Sequence, residues 1–236
     1  MTWESLLDAP TFELRRSGRF VVAELREPHA VLSTSVRNGG LASHVRWLVN
    51  HQSCEGTAHA ERHKVIADAG MDAYHDAVCR EIGVPGDDAA VMGTAANMNY
   101  IAVVTETDDD VRVTAAVTAG VEGNATTAGE PATWRETADG MQKVPAYAGT
   151  INTIVLISHP LTHAALARAV VTMTEGKSAA LQRLAVPSKL HVDLATGTAR
   201  RCSAALLPSV IVTTARARAA CVNGWLISTI VLIVPA

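Results

Sequence analysis

Residues 89–121 contain three consecutive β-rich runs, and they constrain the fold more than any other stretch of the chain. The runs read AAVMGTAA, NMNYIAVVTETD and VRVTAAVTAGV, and Asp108-Asp109-Asp110 makes a tight acidic turn between the last two. A turn this short joins antiparallel neighbours, because parallel strands need a crossover of about a dozen residues or more. The segment therefore favours a largely antiparallel sheet over a doubly wound parallel one.

The rest of the pattern predicts further strands and three helices. FELRRSGRFVVAELR is typical of a hairpin that turns at Ser17-Gly18, and HAVLSTSV and TINTIVLIS are typical of strands. The later helices are HAERHKVIADAGMDAYHDAVCREIG and LTHAALARAVVTMTEGKSAALQRL. The first predicted helix, LASHVRWLVNHQ, has apolar residues on one helix face: Leu41, Val45, Leu48 and Val49. We predict the α/β (α+β) class, with a mixed, largely antiparallel sheet and helices packed on it in a single domain.

Composition limits the partners that we expect. An apolar fraction of 48% and a charged fraction of 18% are typical of a folded chain. The net charge of −3 provides no basic surface for nucleic acid. The start, MTWESLLDAP, lacks the basic and then apolar pattern of a signal peptide, and no two of the four cysteines form a CxxC motif. We therefore expect a cytoplasmic protein with reduced thiols and no membrane segment.

Four histidines, His51, His59, His63 and His75, are the first candidate site. His59 and His63 are four residues apart and would share a helix face, which is a zinc arrangement only when further ligands are present. A metal-dependent hydrolase is therefore one interpretation, and solvated or structural histidines are the other.

The sequence TEGK within the last predicted helix is the second candidate. Glu175 and Lys177 lie in an alanine-rich segment, and two residues apart on a helix they do not face each other. Gly176 in a helix interior costs about 1 kcal/mol, which indicates close approach by a backbone or a ligand. An exposed helix edge is the alternative interpretation.

Three glycine-rich loops that adjoin predicted strands are the third candidate. They are TAGVEGNATTAG (118–129), RNGG (37–40) and GTIN (149–152), and they offer hydroxyls, side-chain amides and backbone N–H groups. Taken singly, each is an ordinary turn more often than a site. Ligands in open α/β sheets nevertheless bind at loops that follow strand ends, so the three together could line a pocket.

Seven motifs follow one another along residues 31–198. They read VLSTSVRNGGL, MDAYHDAV, VMGTAANMNYIAV, VTAGVEGNATTAG, GTINTIVLIS, LTHAALARAVVTMTEGKSAALQ and ATGT. This ordered set resembles the adenosylcobinamide amidohydrolases of cobamide (vitamin B12) salvage. No single motif is diagnostic, and the combination of TAGxxxNA, GTIN and TExK is the most specific part.

The resemblance implies hydrolysis of the amide that joins aminopropanol to a corrin propionate, which yields adenosylcobyric acid and 1-amino-2-propanol. The corrinoid is the substrate, so no cofactor is implied and no residue is assigned to a metal. Glycines let the backbone approach the wide apolar ring, and Asn and Thr side chains pair with its carboxamides. The expected partners are this small molecule and, where subunits assemble, further copies of the chain as a homo-oligomer.

Amide hydrolysis needs an activated nucleophile and a stabilised oxyanion. We expect Glu175 to act as general base on water or on a threonine hydroxyl, and Lys177 and Asn124 to stabilise the oxyanion or hold the substrate. His59 or His75 is the second choice of base. The expected substrate-binding residues belong to the same motifs: Asn38, Gly39, Gly40, Asn97, Thr118, Gly120, Thr150, Asn152 and Thr174.

The composition changes after residue 198. Residues 199–236 contain no Asp or Glu, four arginines and two of the four cysteines. The family pattern continues after ATGT with GTD and a later GTH segment, and neither occurs here. We interpret residues 1–198 as the amidohydrolase-like domain and 199–236 as a divergent or frameshifted end of the same domain. Its last run, WLISTIVLIVPA, is typical of a buried strand. A tail of this kind makes a non-catalytic corrinoid-binding protein or inactive homologue the alternative function.

Overall fold

Two β-sheets packed face to face form the framework of the protein, and a helix covers the outer face of each. The computed structural model describes residues 1–53, 59–121, 123–128, 134–137, 140–143, 150–198, 200–202 and 229–235. In chain order the elements are β1 (Glu4–Asp8), β2 (Phe12–Ser17), β3 (Phe20–Leu25), β4 (His29–Ser33), β5 (Gly40–Ala42), β6 (Trp47–Gln52), α1 (His59–Ile82), β7 (Ala89–Thr94), β8 (Ala102–Asp108), β9 (Val111–Ala119), β10 (Ala125–Thr126), β11 (Trp134–Thr137), β12 (Gly140–Lys143), β13 (Ile151–Ile157), α2 (His163–Arg183), β14 (Gly197–Thr198), β15 (Arg200–Cys202) and β16 (Thr229–Pro235).

The first sheet has five strands in the order β1-β2-β3-β6-β7, and only β6 and β7 run parallel. The predicted hairpin of β2 and β3 is confirmed, and its turn contains Gly18 at φ 52°, a conformation that glycine adopts without strain. Along β3, Val21 faces the second sheet and Val22 faces α1. Both faces of this strand are therefore buried, which explains its continuous apolar sequence.

The second main sheet has six strands in the order β5-β4-β16-β13-β9-β8. The predicted hairpin of β8 and β9 is confirmed, and Asp109 at φ 53° occupies its turn. In β13, Ile154 contributes to the core between the sheets, whereas Ile151 and Val155 contribute to the core under α2. This strand is buried on both faces, as the run TINTIVLIS predicts.

The two helices cover the outer faces. Tyr74 and Val78 of α1 pack on the first sheet, and this helix is interrupted at Gly70, whose φ and ψ are 81° and 172°. α2 packs on the second sheet, and the Thr162 hydroxyl caps its start by accepting the Ala165 N–H at 3.2 Å. Within the described part of the chain, neither helix combines the length and the apolar character needed to cross a membrane.

The predicted α+β class with largely antiparallel sheets is confirmed. The main strands divide between two sheets that share one core, a feature that the sequence pattern did not indicate. Core residues come from both sheets, among them Leu14, Leu48, Met92, Ala116 and Ile233. The order of layers is therefore helix, sheet, sheet, helix.

The helix predicted for LASHVRWLVNHQ is wrong, because this segment contains β5 and β6. β6 lies between β3 and β7 and is buried on both faces, with Leu48 in the core and Val49 under α1. A strand buried on both faces does not alternate between apolar and polar residues. Its apolar positions therefore matched the spacing of a helix by coincidence.

The buried strand predicted in WLISTIVLIVPA is present as β16. It runs parallel to β13 on one side and antiparallel to β4 on the other, and Ile233 and Val234 are buried. The last described strand of the chain therefore occupies an inner position in the six-stranded sheet. The interpretation of residues 199–236 as a divergent or frameshifted end stays a prediction.

Candidate functional site

A two-stranded antiparallel ladder joins two of the motifs, because β10 lies beside β14. Ala125 is opposite Thr198, and Thr126 is opposite Gly197. The backbone N–H of Thr196 donates to the Thr126 carbonyl at 3.0 Å. These contacts hold the loop TAGVEGNATTAG against the ATGT motif.

Lys177 of α2 lies against this ladder. A Cβ atom on Gly197 would lie 3.2 Å from Lys177 Nζ, so the glycine leaves room for the ammonium group. The lysine is half-buried, and desolvation lowers the pKa of its ammonium group below the ordinary value. Within the described part of the chain, no carboxylate forms an ion pair with it. The group is therefore available to a negative or developing negative charge.

Two residues adjoin the ladder, Asn124 along the chain and Ser178 in space. Asn124 precedes β10 and is only 4% exposed. The Ser178 hydroxyl lies 3.0 Å from the Thr174 carbonyl and 3.3 Å from the Thr196 carbonyl, which fastens α2 to the ladder. The lysine cluster consists of Lys177, Asn124–Thr126 and Thr196–Thr198.

Glu175 and Thr174 also lie on α2 but on its solvent side. Both residues are exposed, and the Thr174 hydroxyl donates to the Val170 carbonyl at 2.8 Å within the helix. Positions two apart on a helix point in nearly opposite directions. The structure therefore places Lys177 at the ladder and does not bring the Glu175 carboxylate to it.

Thr118 and Asn152 belong to a second group, the asparagine network, which lies between the two sheets. Asn152 Nδ2 donates to Asn50 Oδ1 at 2.8 Å and to the Gly93 carbonyl at 3.3 Å. Asn50 Nδ2 in turn donates to Thr118 Oγ1 at 2.9 Å. Asn152 is 0% and Thr118 is 1% exposed, so both side chains are enclosed by protein.

Three further predicted residues lie in the loops next to β7, β9 and β13. The Gly120 N–H donates to the Thr150 carbonyl at 3.0 Å and joins the end of β9 to the start of β13. A Cβ on Gly120 would lie 3.6 Å from Ala96 Cβ, which is an ordinary contact. Asn97 is exposed, and its side chain accepts the Asn99 N–H at 2.8 Å at the start of a 3-10 turn.

The predicted residues Asn38, Gly39 and Gly40 form a third group with a tight backbone. Asn38 has φ 56°, and its Nδ2 donates to the Asp87 carbonyl at 2.9 Å and the Ala89 carbonyl at 2.7 Å. A Cβ on Gly39 would lie 2.1 Å from the carbonyl oxygen of Ser35, so only glycine fits. Gly40 has φ 78°. This loop is thus built to fasten β5 to the start of β7.

The strand β7 connects the Asn38 loop with the asparagine network. Asn38 contacts Ala89 at the first residue of β7, and Asn152 contacts Gly93 near its last. The Asn38 loop therefore lies at one end of β7, and the asparagine network lies at the other, where β9 stops and β13 begins. α2 returns to the same end, so the lysine cluster lies on the outer face of this sheet and the asparagine network on its inner face.

The candidate histidines have separate environments. The His51 ring stacks on Phe20 with centroids 4.7 Å apart, and its Nδ1 lies 2.7 Å from the Tyr74 hydroxyl. His75 Nε2 lies 2.8 Å from the Gly86 carbonyl. The side chains of His59 and His63 lie outside the described residues. Among the side chains that are described, no three His, Cys, Asp or Glu residues are placed to hold a metal.

Three contributors to the site were missed from the sequence. Asn50 was assigned to a helix, and recognising β6 as a strand would have placed it on the core face with Leu48. Thr196 and Gly197 were noted only as part of a matching motif. Their contact with Lys177 and Thr126 depends on tertiary pairing, which a local pattern does not reveal.

Together these features define an α+β protein with one half-buried lysine beside glycine- and threonine-rich loops. The adenosylcobinamide amidohydrolase (CbiZ) family matches the chain over residues 6–207, which is well over half of its length. The chain belongs to this amidohydrolase family, as the ordered motifs predicted.

The chain also resembles a curated archaeal protein. The uncharacterized protein MJ1613 of Methanocaldococcus jannaschii is 38% identical over 139 residues, which are 53% of this chain and 52% of that protein. The chain thus spans about half the length of this relative. The relative's name states no activity, so it supports the kinship without supplying a substrate.

Proposed function

We propose that the protein hydrolyses the aminopropanol amide of adenosylcobinamide and releases adenosylcobyric acid and 1-amino-2-propanol. Membership in the amidohydrolase family supports the reaction type. The observation that carries the site is the half-buried ammonium group of Lys177 beside Gly197. The reaction serves corrinoid salvage in the cytoplasm, with the corrinoid as substrate and with no cofactor or metal.

Lys177 acts on the oxygen of the scissile carbonyl. When the nucleophile adds, this oxygen becomes negatively charged, and a cation fixed beside it lowers the barrier. Partial desolvation strengthens the effect, because the Coulomb energy rises as the effective dielectric constant falls. Asn124 lies in the same cluster and orients the substrate carboxamide.

The nucleophile is water or a threonine hydroxyl of the ladder. Thr126 and Thr198 belong to the two paired strands beside Lys177, whereas Glu175 lies on the solvent side of α2. Glu175 stays the sequence-based candidate for the base, although its exposed position on α2 gives it less support than Lys177 has.

Incubation of the purified protein with adenosylcobinamide tests the proposal, with 1-amino-2-propanol and adenosylcobyric acid measured by mass spectrometry. We expect both products, and we expect a metal chelator to leave the rate unchanged. Lys177→Ala should lower kcat/KM by about 10²–10³-fold, as the loss of an oxyanion-stabilising group does. Arg183→Ala removes an exposed cation from the same helix and should leave kcat/KM unchanged.

Two results would contradict this account. Corrinoid binding without release of aminopropanol would replace it with a non-catalytic corrinoid-binding protein. Full activity in a folded Lys177→Ala sample would remove Lys177 from the chemistry. Glu175→Gln measured alongside decides whether the carboxylate contributes.

A further inference from the structure

A pocket of about 190 Å³ lies at the end of the sandwich opposite the lysine cluster. The turn between β1 and β2 forms one wall, and the start of β9 and the end of β13 form the other. The floor is apolar and includes Phe12, Leu156 and Ile233. No step of the proposed hydrolysis uses this pocket.

His29 is a buried basic group that lines the pocket. It is only 3% exposed, and its Nδ1 lies 2.6 Å from the Glu27 carbonyl. A carbonyl oxygen only accepts hydrogen bonds, so Nδ1 carries the hydrogen and the neutral ring has its lone pair on Nε2. No described residue forms a hydrogen bond with Nε2. This nitrogen is the polar atom of the ring that remains for a ligand.

Arg112 supplies a positive charge at the same pocket. Its backbone is fixed against Ser158, because its N–H donates to the Ser158 hydroxyl at 2.8 Å and its carbonyl accepts the Ser158 N–H at 2.9 Å. It lies on the same face of β9 as Thr114, which also lines the pocket. Among the described residues, no carboxylate forms an ion pair with its guanidinium group.

We propose that this pocket binds a small aliphatic carboxylate. The guanidinium group of Arg112 matches a carboxylate in geometry and charge, and the apolar floor accommodates a short hydrocarbon chain. His29 Nε2 is the second polar group at the pocket, and it donates a hydrogen bond to the carboxylate in the ring form that carries hydrogens on both nitrogens. Pockets for drug-sized ligands have volumes of about 300 Å³ or more. This pocket is smaller, so the ligand is a small acid.

Titration of ¹⁵N-labelled protein with butyrate, butyramide and inorganic phosphate tests the proposal by NMR. Butyramide has the same shape as butyrate without its charge. We expect butyrate to shift the amide resonances of Thr114 and Ser158 and to bind at least about tenfold more tightly than butyramide, since hydrogen bonds between charged groups are the stronger ones.

Matched variants locate the binding. Arg112→Gln should weaken butyrate binding by about tenfold or more. Arg168→Gln removes an exposed arginine of α2 and should leave butyrate binding unchanged. His29→Asn keeps a donor near the Glu27 carbonyl, removes Nε2 and should also weaken binding. Equal affinity for butyrate and butyramide, unchanged binding by Arg112→Gln, or tighter binding of phosphate than of butyrate would each overturn the proposal.

Discussion

The asparagine network and the lysine cluster lie on opposite faces of the same sheet end, and they differ in how their polar side chains are partnered. In the network, Asn50, Thr118 and Asn152 are enclosed and bonded to one another. In the cluster, Lys177 is half-buried, and no described carboxylate pairs with it. Residues that look alike as sequence motifs therefore divide into a part that organises the fold and a part that can meet a ligand.

The network has a clear structural task. Its bonds link β6 and β7 of the five-stranded sheet to β9 and β13 of the six-stranded sheet. If the two sheets packed in another alignment, these side-chain amides would lose their hydrogen-bond partners. That alignment would be costly, because a buried amide without partners is destabilising. The network thereby favours one alignment of the two sheets.

Replacing Asn152 should give the largest effect, and it tests whether the asparagine network has a structural role and not a substrate-binding one. Asn152→Ala removes the donor to Asn50 Oδ1 and to the Gly93 carbonyl, so we expect the free energy of unfolding to fall by about 3 kcal/mol. Urea denaturation measures this change. The KM for adenosylcobinamide should stay near the wild-type value in the folded fraction. A raised KM at unchanged stability would instead return Asn152 to substrate binding, and Thr174→Ala on the solvent side of α2 is the matched control.

His51 is a second buried polar residue of β6, next to Asn50 of the asparagine network. Burial, aided by the charge of Arg19, lowers the pKa of His51 to about 3 from its ordinary 6.5. The folded protein thus keeps the ring neutral, whereas the unfolded chain takes up a proton below pH 6.5. The stabilisation is complete above pH 6.5 and is lost as the pH falls from 6.5 toward 3, at about 1.4 kcal/mol per pH unit.

Denaturation at two pH values measures this effect. Between pH 7.5 and pH 5.0 the term from His51 should reduce the free energy of unfolding by about 2 kcal/mol. His51→Phe retains an aromatic ring against Phe20 and cannot titrate, so its loss over the same range should be smaller by that amount. Equal losses in the two proteins would show that His51 is not held neutral.

The pH dependence of kcat/KM tests the role of Lys177 in the lysine cluster. Because desolvation lowers the pKa of Lys177, its cation is present below that pKa and disappears as the pH rises through it. We expect kcat/KM to fall on the alkaline side by about tenfold per pH unit beyond the pKa. Lys177→Arg keeps the charge at any accessible pH and should abolish this alkaline fall in whatever activity it retains. A rate that rises with Lys177 deprotonation would make the lysine the general base instead.

Much of the fold was readable from local chemistry. Short turns at Gly18 and Asp109 predicted two hairpins, and the run LTHAALARAVVTMTEGKSAALQRL predicted α2. β6 was misread because both of its faces are buried. The division into two sheets depends on pairings between distant segments, such as β16 with β4 and β13, and no local period encodes them.

The candidate site was readable to a smaller extent. The alternation of a strand places Thr118 on the same face as Ala116 and Asn152 on the same face as Ile154, so their position in the core could have been predicted. The contact of Lys177 with Gly197 could not have been predicted from the sequence, because it forms only when α2, β10 and β14 are in their final positions. Membership in the family identified the motifs without separating structural from chemical roles.

Gly176 precedes Lys177 in α2 and Gly197 lies beside its ammonium group, and replacing each with alanine should have the smallest effects of the variants considered. A Cβ on Gly197 would lie 3.2 Å from Lys177 Nζ, the flexible end of a side chain, whereas a Cβ on Gly176 would have no neighbour within 4 Å among the described residues. Gly197→Ala should change the free energy of unfolding little, because Nζ can shift by a few tenths of an ångström. The same shift should lower kcat/KM by roughly several-fold, since small displacements of a catalytic group reduce the rate.

Gly176→Ala should raise the free energy of unfolding by about 0.5–1 kcal/mol, because alanine favours the helix, and leave kcat/KM unchanged. Reduced activity in the Gly176 variant and full activity in the Gly197 variant would place the ligand on the open side of α2, next to Glu175, instead of at the ladder.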